Sequence, residues 1–106
     1  MSLPSPPNVL PLEGQIDLHV SAKVAAAIAE RVKEKPARLV VDLSRVNYID
    51  SSGLAVLING VRDVEDYGGI FILAAVRDEV RPILETARLE NFFILFPSVD
   101  QALAAP

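Results

Sequence analysis

A chain of 106 residues, 51% of them apolar, is long enough for one domain with its own core and too short for two. Its net charge of −4, with acids and bases interspersed, argues against a nucleic-acid binder, which would show a basic patch. With no cysteine, disulfides, thiolate nucleophiles and cysteine-bound metals are excluded, and the single histidine, His19, excludes a site built from several imidazoles.

Residues 1–8 are rich in proline and serine, and a poorly ordered N-terminal segment is expected there, ahead of one domain over 9–106. The opening stretch has no basic region and does not read as a signal peptide. No run approaches the roughly 20 apolar residues of a membrane span, so no direct membrane insertion is expected and the cytoplasm is the expected address. Val9–Ile16 predicts a short strand, with Pro11 suited to a sheet edge. Val20, Val24, Ile28 and Val32 mark a helix over about 20–34, opened by Asp17 or Ser21 and stopped by Pro36. Arg38–Leu43 is the strongest strand signal, a continuous branched apolar run expected to be buried on both faces.

Residues 44–52 read as a connection. A second helix is predicted over about 53–66, with Leu54, Leu57, Ile58, Val61 and Val64 on one face and Gly68-Gly69 ending it. Residues 70–75 predict another buried strand. A third helix is expected over 78–88, with Val80, Ile83, Leu84 and Ala87 inward; Pro82 is tolerated there only if the helix starts close before it or bends. Phe92–Phe96 predicts a last strand, and Ser98-Val-Asp-Gln101 a capping box opening a short helix. The alternation predicts an α/β domain with a mainly parallel sheet.

In such sheets function collects beyond the carboxyl ends of the strands. There this sequence carries Asp50-Ser51-Ser52-Gly53-Leu54, where the second helix begins. Taken alone, Ser51 reads as a helix N-cap. The same position also suits a switch. A helix N-terminus is a ready anion site, and a phosphate on Ser51 would add about −1.5 to −2 charges beside Asp50 and Asp17.

The Asp-Ser-Ser-Gly-Leu string follows Asp42-Leu43-Ser44 and Tyr48-Ile49, and Gly14-Gln15-Ile16-Asp17 stands before the first helix. Gly68-Gly69 precedes the next strand, and Phe96, Ser98 and Ala102-Leu103 close the pattern. Together these resemble the STAS domain of anti-sigma factor antagonists, over roughly residues 9–104. The resemblance implies a STAS-like single domain with about four to five strands in a mixed, mainly parallel sheet and about four helices. It implies a non-enzymatic protein that binds an anti-sigma factor kinase and frees a sigma factor. The kinase supplies the ATP and phosphorylates Ser51, which releases the complex; a phosphatase would reset it. The implied partner surface comprises Asp17, Asp50, Ser51, Ser52 and Gly53, with no cofactor and no metal. The alternative within the same fold is a stand-alone subunit of a lipid-type ABC transporter or another STAS signalling complex. The family's extra strand before Gly14 has only residues 1–8 to form it. Arg88-Leu89 stands where the family often has Gly-Leu, and a left-handed residue there would cost arginine more.

Rival chemistry is thinly supported. His19 lacks an orienting partner motif, and a triad of Ser51, Asp50 and His19 lacks both the nucleophile elbow and an oxyanion hole. A receiver-type reading of Asp42 lacks the acidic pair after the first strand and the lysine after the last. No glycine-rich phosphate loop is present.

Overall fold

The computed structural model describes residues 8–105. Strands and helices alternate: β1 (Val9–Ile16), α1 (Ser21–Lys33), β2 (Arg38–Ile49), α2 (Ser51–Asp66), β3 (Ile70–Ala74), α3 (Arg81–Thr86), β4 (Ile94–Phe96) and α4 (Val99–Ala104). The expectation for residues 1–8, including a preceding strand, lies outside the described residues except at Asn8. The sheet runs β1-β2-β3-β4 and every neighbouring pair is parallel, so among the described residues it is wholly parallel rather than mixed. Each crossover carries the chain from the carboxyl end of one strand back to the amino end of the next, which parallel pairing requires.

Right-handed crossovers between successive neighbours put α1, α2 and α3 on one face. There Leu39, Val41, Leu43, Phe71 and Leu73 meet Val24, Ile28, Leu57, Val61, Val64, Val80 and Leu84 in the main core. The alternate residues Val9, Val40, Ile72 and Ala74 face the other way and are closed over by Ala102 of α4. The guanidinium of Arg38 donates to the carbonyls of Ala102 (2.7 Å) and Leu103 (2.9 Å), pinning the end of α4 where its carbonyls carry partial negative charge. Among the described residues β1 is an edge strand, which suits Pro11, and Arg31 donates to the carbonyl of Val9.

Several boundaries differ from the sequence expectation. The supposed connection over 44–49 continues β2, because Val46 and Ile49 are fully buried in the main core. Burying such side chains contributes roughly 1.5–3 kcal/mol each. The register against β1 slips between Pro11 and Glu13 and again between Gly14 and Gln15, so Leu43, Val46 and Ile49 reach the same core without strict alternation. Neither Asp17 nor Ser21 caps α1 with its side chain; the backbone carbonyl of Asp17 accepts from Val20 and Ser21 instead. α2 ends as expected, with Gly68 at φ +87 and Gly69 N–H donating to Val64 O at 2.9 Å. α3 is shorter than predicted and starts one residue before Pro82, so no helical hydrogen bond is lost there. Ala87 consequently lies past the helix and is exposed, not inward. The capping serine of α4 is as expected, Ser98 Oγ accepting from Gln101 N–H at 3.1 Å.

Candidate functional site

β1 and β2 end side by side at Ile16 and Ile49, and the chain leaves both at the carboxyl edge of the sheet. α2 begins directly after β2, so its amide-rich end sits against the turn that follows β1. Asp50 is the joint. Its N–H donates to Ile16 O (3.1 Å), its Oδ1 accepts from Gly53 N–H (3.0 Å) and its Oδ2 accepts from Leu18 N–H (3.2 Å). Asp50, not Ser51, is therefore the N-cap of α2. Aspartate is as good a cap as serine, and its second oxygen reaches a turn that a serine hydroxyl would not.

This frees Ser51. It occupies the first helical position, is exposed, and its hydroxyl makes no hydrogen bond to another described residue. The backbone N–H groups of Ser51 and Ser52 are the two at this end that the Asp50 cap does not take up. Ser52 is half-buried. Gly53 is buried, and a Cβ there would lie 2.5 Å from Ile16 O and 2.8 Å from Ile16 Cγ2 and Ile49 Cγ2. Its role is close approach: only glycine lets α2 start flush against the ends of β1 and β2.

Asp17 is half-buried and shapes the neighbouring turn, its Oδ1 accepting from His19 N–H at 3.0 Å. The structure thus brings Asp17, Asp50, Ser51, Ser52 and Gly53 to one corner, through the Leu18–Asp50 bond. His19 is exposed, and among the described residues it hydrogen-bonds only through its backbone N–H.

Two features escaped the sequence reading. Leu18 projects from the turn at 71% exposure. A groove of about 560 Å³ is lined by Tyr48, Leu54, Pro82, Ile83 and Ala87 together with Asp50 and Ser51. Asp50 and Ser51 are equally favoured caps by residue type, so propensity alone did not choose between them. The groove was not legible, because it forms between α2 and an α3 whose true length the periodicity overstated.

The chain matches the STAS domain family model over residues 2–102. It is 34% identical over 95 residues to the anti-sigma-F factor antagonist RsfB of Mycobacterium tuberculosis, covering 90% of this chain and 77% of RsfB. An anti-sigma factor antagonist from Mycobacterium paratuberculosis has a similar structure, with TM-score 0.80 and 30% identity over 90% of this chain and 80% of that one. The anti-sigma factor antagonist SpoIIAA shares the fold in its unphosphorylated form, with TM-score 0.72 and 23% identity over 90% of this chain and 83% of that one. Bacillus SpoIIAA in the phosphorylated form gives 0.64 and 22% over 90% and 86%.

Proposed function

The chain belongs to the STAS domain family, with anti-sigma factor antagonists among its relatives, and we propose that it works as such an antagonist in the cytoplasm, switched by phosphorylation of Ser51. Unmodified, it docks on an anti-sigma factor through the corner formed by the Asp17 turn and the start of α2, and the sigma factor goes free. The anti-sigma factor, acting as kinase with its own ATP, then phosphorylates Ser51, and a phosphatase restores the hydroxyl. The observation that carries this reading is an exposed serine hydroxyl, unpaired and set on the first turn of a sixteen-residue helix, with the capping work done by Asp50.

Physically, a phosphate at that position finds the free amides of Ser51 and Ser52 and the positive end of the helix dipole, so the domain can carry it without unfolding. The same dianion lies beside the Asp50 carboxylate, and none of the residues walling the adjacent groove is basic. A partner closing over this corner would have to desolvate it with no basic side chain of the groove to neutralise it. RsfB and the Mycobacterium paratuberculosis protein are antagonists by name, which favours this reading over a transporter subunit. The test is incubation with the cognate kinase and ATP, followed by peptide mass spectrometry. Phosphate on Ser51 is expected, and its absence from Ser51 refutes the switch.

A further inference from the structure

We infer that Leu18 and the groove beside Ser51 form a two-part apolar lock for the anti-sigma factor: Leu18 enters a socket on the partner, and an apolar side chain of the partner enters the groove. This rests on the reading of the chain as an anti-sigma factor antagonist and adds to it the residues that set affinity and choice of partner.

Among the described residues Leu18 is the most exposed large hydrophobic, at 71%, and Tyr48 at the groove wall is 45% exposed. A lone exposed leucine is unremarkable by itself. This one is held. Its N–H donates to Asp50 Oδ2 at 3.2 Å, its carbonyl accepts from Ser21 Oγ at 3.3 Å, and the residues on both sides are tied by the Asp17 turn. A fixed backbone leaves only the side chain's own rotamers to order on binding, which lowers the cost of using this leucine as a contact.

The same carboxylate that holds Leu18 also caps α2 and lines the groove, so knob, groove and Ser51 share one rigid joint. The groove offers Tyr48, Leu54, Pro82, Ile83 and Ala87, and none of its lining residues is basic. Its fitting occupant is an uncharged aliphatic or aromatic side chain. That choice also explains the sign of the switch. A partner that seals an apolar groove lined in part by phosphorylated Ser51 would bury a dianion that no basic lining residue neutralises, so modification opposes docking.

The experiment measures affinity of the full chain for a panel of recombinant anti-sigma factors from the same organism, by titration calorimetry. Leu18→Ser and Ala87→Arg, the second filling the groove from an exposed position, are each expected to weaken binding about ten-fold or more, and Leu18→Met to stay within about three-fold. Both replaced residues are exposed, so melting temperatures within about 2 °C of the unmodified chain are expected and exclude misfolding as the cause. Binding of Leu18→Ser within about two-fold of the unmodified chain, while phosphate on Ser51 still releases the partner, overturns the lock and leaves the antagonist reading standing. Failure of the unmodified chain to bind any of the panel overturns the antagonist reading and the lock with it.

Discussion

Replacing Gly53 by alanine tests how the start of α2 is held against β1 and β2. The added Cβ would stand 2.5 Å from the carbonyl oxygen of Ile16 and 2.8 Å from two methyl carbons, where ordinary contact begins near 3.4 Å. The nearest atom is backbone, and it belongs to a strand paired along its length with β2, so it cannot rotate away. The start of α2 must therefore withdraw by about 0.9 Å from the ends of β1 and β2. That shift strains the Asp50 N–H bond to Ile16 O and the Leu18 N–H bond to Asp50 Oδ2, at 3.1 and 3.2 Å. Overpacking of this kind costs about 1–3 kcal/mol, and a backbone clash belongs at the upper end. Alanine recovers up to about 1 kcal/mol in helix propensity, less in a first turn. The net expectation is a loss of about 2 kcal/mol, or roughly 8–16 °C in melting temperature for a domain of this size. Urea denaturation followed by circular dichroism reads it directly. An unchanged or raised midpoint, as propensity alone would give, refutes the close-packing argument.

Three other expectations follow from the same structure. Asp50→Ala removes the cap of α2 and the acceptor for Leu18 N–H together, and should cost about 2 kcal/mol in urea denaturation, whereas Asp50→Asn keeps capping capacity and should cost less. Arg88 sits at φ +59 just after α3, with Leu89 N–H bonded to Leu84 O at 2.8 Å, so Arg88→Gly should relieve left-handed strain. Set against glycine's greater freedom when unfolded, the net gain is about 0.5 kcal/mol, seen as a rise of a few degrees in melting temperature. Tyr67 donates its hydroxyl proton to Pro36 O at 2.7 Å, and burial raises its pKa above the ordinary value of 10.0. The folded state thus favours the neutral phenol, and this contribution is intact below pH 10 and lost as the pH rises through the raised value. Tyr67→Phe should cost about 1 kcal/mol near pH 7, and its deficit relative to the unmodified chain should shrink in denaturation curves taken above pH 10.

Much of the fold could be read directly from residue patterns. The four-residue spacing of Val20 to Val32, the unbroken run Leu39–Val41 and the Gly68-Gly69 stop each reflect a local rule that tertiary packing had no cause to override. The second half of β2 was hidden because its two register slips place Leu43, Val46 and Ile49 three apart on one face, a spacing that belongs to neither a regular strand nor a helix. α3 was overextended because Ala87 fits the apolar periodicity, yet the turn at Arg88 ends the helix before it reaches the core. At the site, the string Asp50–Gly53 located the corner, but local propensity could not divide its roles. Capping fell to Asp50 because only a carboxylate serves two amides at once, one of them 32 residues away in sequence. Leu18 was invisible for the same reason, since its importance lies in a contact with a distant part of the chain.

The central claim is that charge on one exposed hydroxyl decides docking. Its most direct measurement is the affinity of one purified anti-sigma factor for this chain before and after stoichiometric phosphorylation of Ser51, by titration calorimetry at fixed ionic strength. Release requires the phosphorylated form to bind at least about ten-fold more weakly, with an unchanged circular dichroism spectrum. Equal affinities for the two forms would contradict it.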